Sequence, residues 1–363
     1  MIKAHQDLSG QTMQSIKMQG GKILLDETLI PTPGPGQVLV KSLACGICGS
    51  DLHITKHSDE VFDIYKTLGV MPSDAPSDPS IDLGHEFAAE LVSYGPDTQK
   101  TISIGQRVTC VPILMTMGGA GVGVTPGLNG AYSEYFIVDE ALLLVIPDDV
   151  PSEAAAITEP LAVGLHSVNR SLITVNDTAL VAGCGPIGLA VIACLRIMGV
   201  KTIIASDPMA SKRDIAMSFG ATHTVDPTDQ DEVAFATKQA TESQLVIFEC
   251  VGVHQLIQSF IVRCPQRTKL VITGIHTADT QVNYGYASVK ELDITFSYYY
   301  SAEEFAQSLQ YIASGQVNWA AMCTAKVGID KVPEAFAQLM QPNEHIKVII
   351  EPWRKGALQD MTD

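Results

Sequence analysis

The sequence predicts an α/β fold in two parts, a β-rich irregular domain followed by a doubly wound parallel sheet. Three observations carry that prediction. Up to about residue 160, short β-rich runs (VLVKSLAC, FAAELVSYG, AYSEYFIVD) alternate with Gly/Pro turns. Beyond it, strand-like segments (TALVAG, TIIASD, LVIFEC, KLVITG, DITFSY) alternate with helical ones (IGLAVIACLRIMG, SKRDIAMSFG, LIQSFIVRC), the pattern of a parallel sheet covered by helices. The first strand of this second part meets its first helix at a cluster of glycines, Gly183, Gly185 and Gly188.

The chain begins MIKAHQDLSGQTMQ, which lacks the basic end and apolar core of an export signal. In the first β-rich part, Cys45 and Cys48 form a CxxC pair, which alone reads as half of a structural zinc site or as a redox pair. No second CxxC completes four-thiolate ligation, so one ligand from the pair is the better reading, with Cys48 favoured. Cys48-Gly49-Ser50-Asp51-Leu52-His53, Gly84-His85-Glu86 and Thr158-Glu159-Pro160 then gather thiolate, imidazole and carboxylate donors from distant segments. That mixture suits a zinc ion held by three protein ligands, with one position open to water or substrate. Glu159 also reads as a helix-start carboxylate. The segment 54–82 is rich in Pro, Ser and Asp, residues of turns, and shows no usable period.

The second part opens with Thr178–Asp207, a strand, glycine turn, helix and second strand in about thirty residues, the context that raises a GxGxxG match above noise. Gly183 allows the tight turn, Gly185 lets a pyrophosphate approach the backbone, and Gly188 lets helix pack on strand. Pro186 and Ile187 start the helix, whose free N–H groups face the phosphates. Asp207 ends the second strand, where a carboxylate accepts from both adenosine ribose hydroxyls and repels a 2′-phosphate. NAD is therefore favoured over NADP, although Lys212 and Arg213 follow closely.

Composition sets the outer bounds. At 363 residues the chain suits two ordinary domains, and 46% hydrophobic residues suffice for buried cores. Its 23 basic and 40 acidic residues give a net charge of −17, which disfavours nucleic acid and offers no polybasic membrane anchor. Eight irregularly spaced cysteines read as reduced thiols of a cytoplasmic protein.

Several segments together (PTPGPGQVLVKSLACGICGSDLH, LGHEFAAELVSYG, GQRV, GAYSEYFIV, ITEPLAVGLHSV, GCGPIGLAV, FECVG, IKVIIEP) resemble the zinc-dependent alcohol dehydrogenases of the medium-chain dehydrogenase/reductase superfamily, in their polyol branch. The resemblance covers nearly the whole chain. It implies a GroES-like catalytic domain at 1–160 and 301–363, and a Rossmann cofactor domain at 161–300. It implies NAD-dependent oxidation of a secondary alcohol or polyol by a homodimer or homotetramer. Cys48, His85 and Glu159 would bind the one catalytic zinc, with Glu86 able to approach the metal. Asp51 would orient the histidine, Ser50 and His53 would relay a proton, Lys212 would lie beside the adenosine ribose, and Lys347 would touch the pyrophosphate.

One departure is plain. Relatives with a structural zinc carry four closely spaced cysteines where this chain has TCVPILMTMGGAGVGVTPGLNGAYSEY, which holds only Cys110, so no second zinc is expected. The glycine-rich replacement reads either as a flexible surface loop or as a stretch whose Leu114, Met115 and Met117 line a contact. Two rival functions stand beside the main one: a zinc-free quinone or enone reductase, and a non-catalytic dinucleotide-binding scaffold. The joint presence of Cys48, His85 and Glu159 argues against the first.

Overall fold

The computed structural model describes residues 8–69, 71, 73–76 and 78–361; residues 1–7, part of the segment read for an export signal, lie outside the described residues. The chain divides into two compact units, Met1–Glu159 with Cys323–Asp363, and Pro160–Met322. Among the described residues no helix is long and apolar enough to cross a membrane.

The first unit opens with a hairpin of β1 (Thr12–Gln19) and β2 (Lys22–Leu29), with β4 (Ile81–Asp82) on the other edge of β1. Its main sheet is built around β3 (Gln37–Gly46), which is buried along almost its whole length because β5 (Glu86–Tyr94), β9 (Tyr135–Asp139) and, near its end, a C-terminal strand all pair with it. That explains why VLVKSLAC reads as apolar rather than alternating. β6 (Arg107–Thr109) and β10 (Leu144–Val145) extend this sheet, and β7 (Ile113–Leu114) with β8 (Ala120–Gly121) makes a small separate hairpin. Helices α1 (Gly49–Lys56) and α2 (Ser58–Thr67) follow β3, and α2 lies within the segment 54–82 whose residues read as turn formers. Val61 and Phe62 are the buried residues of α2, too few to imprint a helical period on so charged a segment. α3 (Ser152–Ala156) and α4 (Thr158–Ser171) follow.

In the second unit six parallel strands run in the order β13 (His223–Val225), β12 (Thr202–Ser206), β11 (Thr178–Ala182), β14 (Leu245–Glu249), β15 (Lys269–Ile272), β16 (Asp293–Phe296). Strand order reverses between β11 and β14, so the ligand crevice of such a sheet opens there. β11 and β14 are buried throughout, as inner parallel strands must be. The crossovers are α5 (Pro186–Met198), α6 (Ala210–Phe219), α7 (Glu232–Gln239), α8 (His254–Arg263) and α9 (Tyr284–Lys290). α5 starts with Pro186 in its first turn and stops at Gly199, whose φ of 88° suits glycine. A Cβ on Gly188 would lie 1.8 Å from the Gly183 carbonyl oxygen. Gly188→Ala must therefore push α5 off β11, at about 1–3 kcal/mol or more, and a denaturation midpoint unchanged from wild type would refute that close packing.

The segment 301–322, grouped with the catalytic domain on sequence, belongs to the second unit. Ser301 and Glu304 form a capping box at the start of α10 (Ala302–Ala313), whose Phe305, Leu309 and Ile312 are buried. The Glu304 carboxylate also takes His166 Nδ1 at 2.8 Å and Asn169 Nδ2 at 2.7 Å, both on α4. An amphipathic helix announces its apolar face but not the partner it packs on, hence the difference. After α11 (Trp319–Met322) the chain rejoins the first unit with β17 (Cys323–Gly328), α12 (Val332–Leu339), β18 (Lys347–Glu351) and β19 (Gln359–Asp360). β18 pairs antiparallel with β3, placing Ile349 opposite Gly46.

Candidate functional site

The antiparallel register of β3 and β5 puts Gly46 opposite Glu86, so the residues just beyond that pair, Cys48 and His85, are brought to the same end of the sheet. Cys48 is the N-cap of α1, and its backbone N–H donates to Asp51 Oδ2 at 3.0 Å, so the helix start fixes both residues at once. Ligand atoms of Cys48, His85 and Glu86 all lie within 4.8 Å of one another. Cys45 is a fully buried core residue of β3. Strand and helix cap thus separate the CxxC pair, and only Cys48 joins the polar cluster.

His85 Nδ1 is buried without a hydrogen-bond partner and lies 3.6 Å from Asp51 Oδ1. The ring also interacts with the Cys48 thiol. Asp51 is itself anchored: Tyr132, fully buried, donates its hydroxyl to Asp51 Oδ2 at 2.6 Å and lies 3.0 Å from the Gly46 carbonyl. Tyr132 escaped the sequence reading, where it was one aromatic in a glycine-rich loop. That loop is no loose surface excursion, because Ala131 N donates to Gly84 O at 2.9 Å and Tyr132 N to Leu83 O at 3.0 Å. The approach is so close that a Cβ on Gly84, whose φ is 106°, would sit 2.5 Å from Tyr132 N. The segment lacking structural-zinc cysteines therefore braces the backbone just before His85 and, through Tyr132, the Asp51 beside it. Leu114 is buried in the core, while Met115 and Met117 are exposed.

The electrostatics concentrate negative charge. Burial pushes the Cys48 thiol up, with Glu86 adding to the shift, and burial likewise raises the Asp51 carboxyl. Burial opposes charge on His85, yet Asp51, Cys48 and Glu159 outweigh it and push the ring well above its usual range. A divalent cation reverses this balance by favouring thiolate and carboxylate. The thiol, the imidazole aligned on a carboxylate and the nearby glutamates fit zinc. Glu159, nearly buried in the first turn of α4, stands outside the tight triplet but close enough to act on His85.

Lys347, which the resemblance places near the pyrophosphate, is buried at the start of β18 and donates to Glu86 Oε1 at 2.7 Å, Glu86 Oε2 at 2.6 Å and Ile47 O at 3.0 Å. Those bonds use all three ammonium protons. Burial would favour the neutral amine, and Glu86, then Cys48, hold it charged instead. Ser50 and His53 lie half-buried on α1, with the His53 ring stacked on His57 at 4.7 Å.

The second unit carries the glycine turn as expected. Gly183 follows β11 with φ 93°, and Gly185 caps α5 with open space where a Cβ would stand. Asp207, just past β12, is nearly buried and accepts from Cys184 N at 3.0 Å and Met209 N at 2.9 Å, which locks it beside the turn. Lys212 is half-buried on α6, and Ile187 lies in the first turn of α5. Arg213 is committed: its Nη1 donates to Asp207 O at 2.7 Å and Asp226 Oδ2 at 2.9 Å.

Comparison with known proteins agrees with this architecture. Residues 34–148 match the model of the alcohol dehydrogenase GroES-like domain, and residues 186–314 that of the zinc-binding dehydrogenases. The chain is 31% identical to a (R,R)-butanediol dehydrogenase of Neisseria gonorrhoeae over 92% of its own length and 97% of that protein. It is 28% identical to a sorbitol dehydrogenase of Bacillus subtilis over 95% of its length and 98% of that relative. The crystal structure of 2R,3R-butanediol dehydrogenase from Bacillus subtilis superposes with a TM-score of 0.79 at 29% identity, covering 94% of this chain and 99% of the other. The chain belongs to the zinc-dependent alcohol dehydrogenases of the medium-chain dehydrogenase/reductase superfamily, in the branch of the butanediol and sorbitol dehydrogenases.

Proposed function

We propose that this protein transfers a hydride between a secondary alcohol or polyol and NAD at a single catalytic zinc. The observation that carries the reading is the meeting of Cys48, His85 and Glu86 within 4.8 Å, with Glu159 beside them and Asp51 aligned on the histidine. Cys48, His85 and Glu159 would hold the metal, since both oxygens of Glu86 are engaged by Lys347. Zinc supplies Lewis acidity that lowers the pKa of an alcohol hydroxyl and polarises a carbonyl, and the nicotinamide exchanges the hydride.

Asp51 fixes the orientation of His85. Ser50 takes the hydroxyl proton and His53 passes it to solvent, the task for which an imidazole is suited near neutral pH. Gly183, Gly185, Pro186, Ile187 and Gly188 shape the pyrophosphate turn, and Asp207 receives the adenosine ribose hydroxyls with Lys212 alongside. Arg213, tied to Asp226, is not available to a 2′-phosphate, which supports NAD over NADP. The activities named for the relatives, on butanediol and sorbitol, support a small diol or polyol as substrate. Eight free thiols support a reducing, cytoplasmic setting. β16 is an edge strand with exposed Phe296 and Tyr298, which supports a homo-oligomer.

The test measures zinc per chain on protein purified without added metal, then rates on butane-2,3-diol and sorbitol with NAD and NADP. The expected result is about one zinc and a kcat/KM at least about tenfold higher with NAD. A chain that binds no zinc, even when it is supplied, and oxidises neither diol nor polyol would sink this reading in favour of the zinc-free reductase or the scaffold.

A further inference from the structure

Glu249 ends β14 and is fully buried. Its Oε1 accepts from Val251 N at 2.9 Å and Gly252 N at 2.8 Å, and its Oε2 pairs with His276 Nε2 at 2.9 Å. Its backbone carbonyl accepts from Thr273 N at 2.9 Å and Gly274 N at 3.0 Å. One residue therefore ties the loop after β14 to the loop after β15. The two loops touch closely, for a Cβ on Gly274 would lie 2.4 Å from Gly252 N and 2.6 Å from Glu249 Oε2. His276 Nδ1 is buried with no hydrogen-bond partner, so the bond to Glu249 is what holds the ring. This pair lies outside the Cys48, His85 and Glu86 cluster.

Its place in the sheet gives the pair a role. Asp207 closes β12 on one side of the switch point between β11 and β14; Glu249 and His276 lie on the other side, at the carboxyl ends of β14 and β15. A dinucleotide lying across that crevice with its adenosine at Asp207 places its nicotinamide half over β14 and β15. There the two tied loops expose Val251 (47%), Val253 (43%) and Ile275 (38%), apolar side chains suited to the face of a flat ring.

We propose that His276 is a positioning residue for the nicotinamide half of the cofactor: through Glu249 it locks the loops after β14 and β15 into one apolar shelf of Val251, Val253 and Ile275. The proposal rests on the dinucleotide reading of this unit. Removing the imidazole leaves Glu249 its two backbone donors, so the sheet persists while the shelf loosens.

NADH and ADP-ribose separate the two halves, because ADP-ribose keeps the adenosine and lacks the nicotinamide. Both are titrated by calorimetry against wild type, His276→Ala and His276→Gln, the last chosen because its amide N–H can replace Nε2–H. His276→Ala is expected to weaken NADH about tenfold while ADP-ribose stays within about twofold, and His276→Gln to recover most of the loss. Parallel weakening of both ligands, no weakening of either, or no rescue by glutamine overturns the positioning role. A wild type that binds neither ligand overturns the dinucleotide reading itself, and this proposal with it.

Discussion

Cys48→Ala protein is expected to retain less than about one-tenth of an equivalent of zinc and to turn over substrate at least roughly 10³-fold more slowly than wild type. The size follows from the chemistry: polarisation by the metal contributes several kcal/mol of transition-state stabilisation, and each 1.36 kcal/mol is tenfold in rate. Calorimetric titration with NADH should be nearly unchanged, since the glycine turn and Asp207 belong to the other compact unit. Cys45→Ala is the control. That side chain is buried in β3 outside the polar triplet, so its loss should leave a cavity and a small drop in stability but full zinc. Elemental analysis of the two variants decides the matter, and zinc lost with Cys45 but kept with Cys48 would reverse the assignment within the CxxC pair.

What could be read in advance follows a physical line. Cys48, His85 and the turn from Gly183 to Gly188 were legible because each residue type is tied to its chemistry over a short stretch. The parallel sheet was legible because β11 and β14 are buried on both faces and so read as unbroken apolar runs. Short β13, α7 and α9 left no comparable pattern, and α2 was hidden by its charge. Tyr132 and Glu249 were missed, and with them the Glu86 partner of Lys347, for a different reason. Their partners lie far along the chain, and they act only because particular strands are neighbours: Lys347 reaches Glu86 across β3, and Glu249 meets His276 from the next strand. Burial of a charge is invisible until its counter-charge is found. Motif resemblance names the members of such a site but not the pairs they form.

The Lys347–Glu86 pair sets the second large effect. Gly46 lies between β5 and β18, and a Cβ there would sit 2.1 Å from Glu86 Oε2 and 3.0 Å from Lys347 Cδ, so the ion pair passes over a residue that must lack a side chain. Both charges are fully buried. Glu86→Gln removes the carboxylate that Lys347 contacts at hydrogen-bond distance and leaves the ammonium with Ile47 O and a neutral amide. Breaking a buried pair from one side costs about 3–5 kcal/mol, because the surviving charge stays desolvated. For a chain of 363 residues that corresponds to a fall of roughly 4–7 °C in Tm. The double substitution Glu86→Gln, Lys347→Met should recover most of the loss, since an apolar replacement of both partners leaves no charge stranded. Zinc content of the same variants separates two roles: with Glu159 as ligand, Glu86→Gln keeps its metal although it is less stable. Loss of zinc in Glu86→Gln with retention in Glu159→Ala would make Glu86 the ligand, and a Tm within about 2 °C of wild type would show that the pair carries no stability.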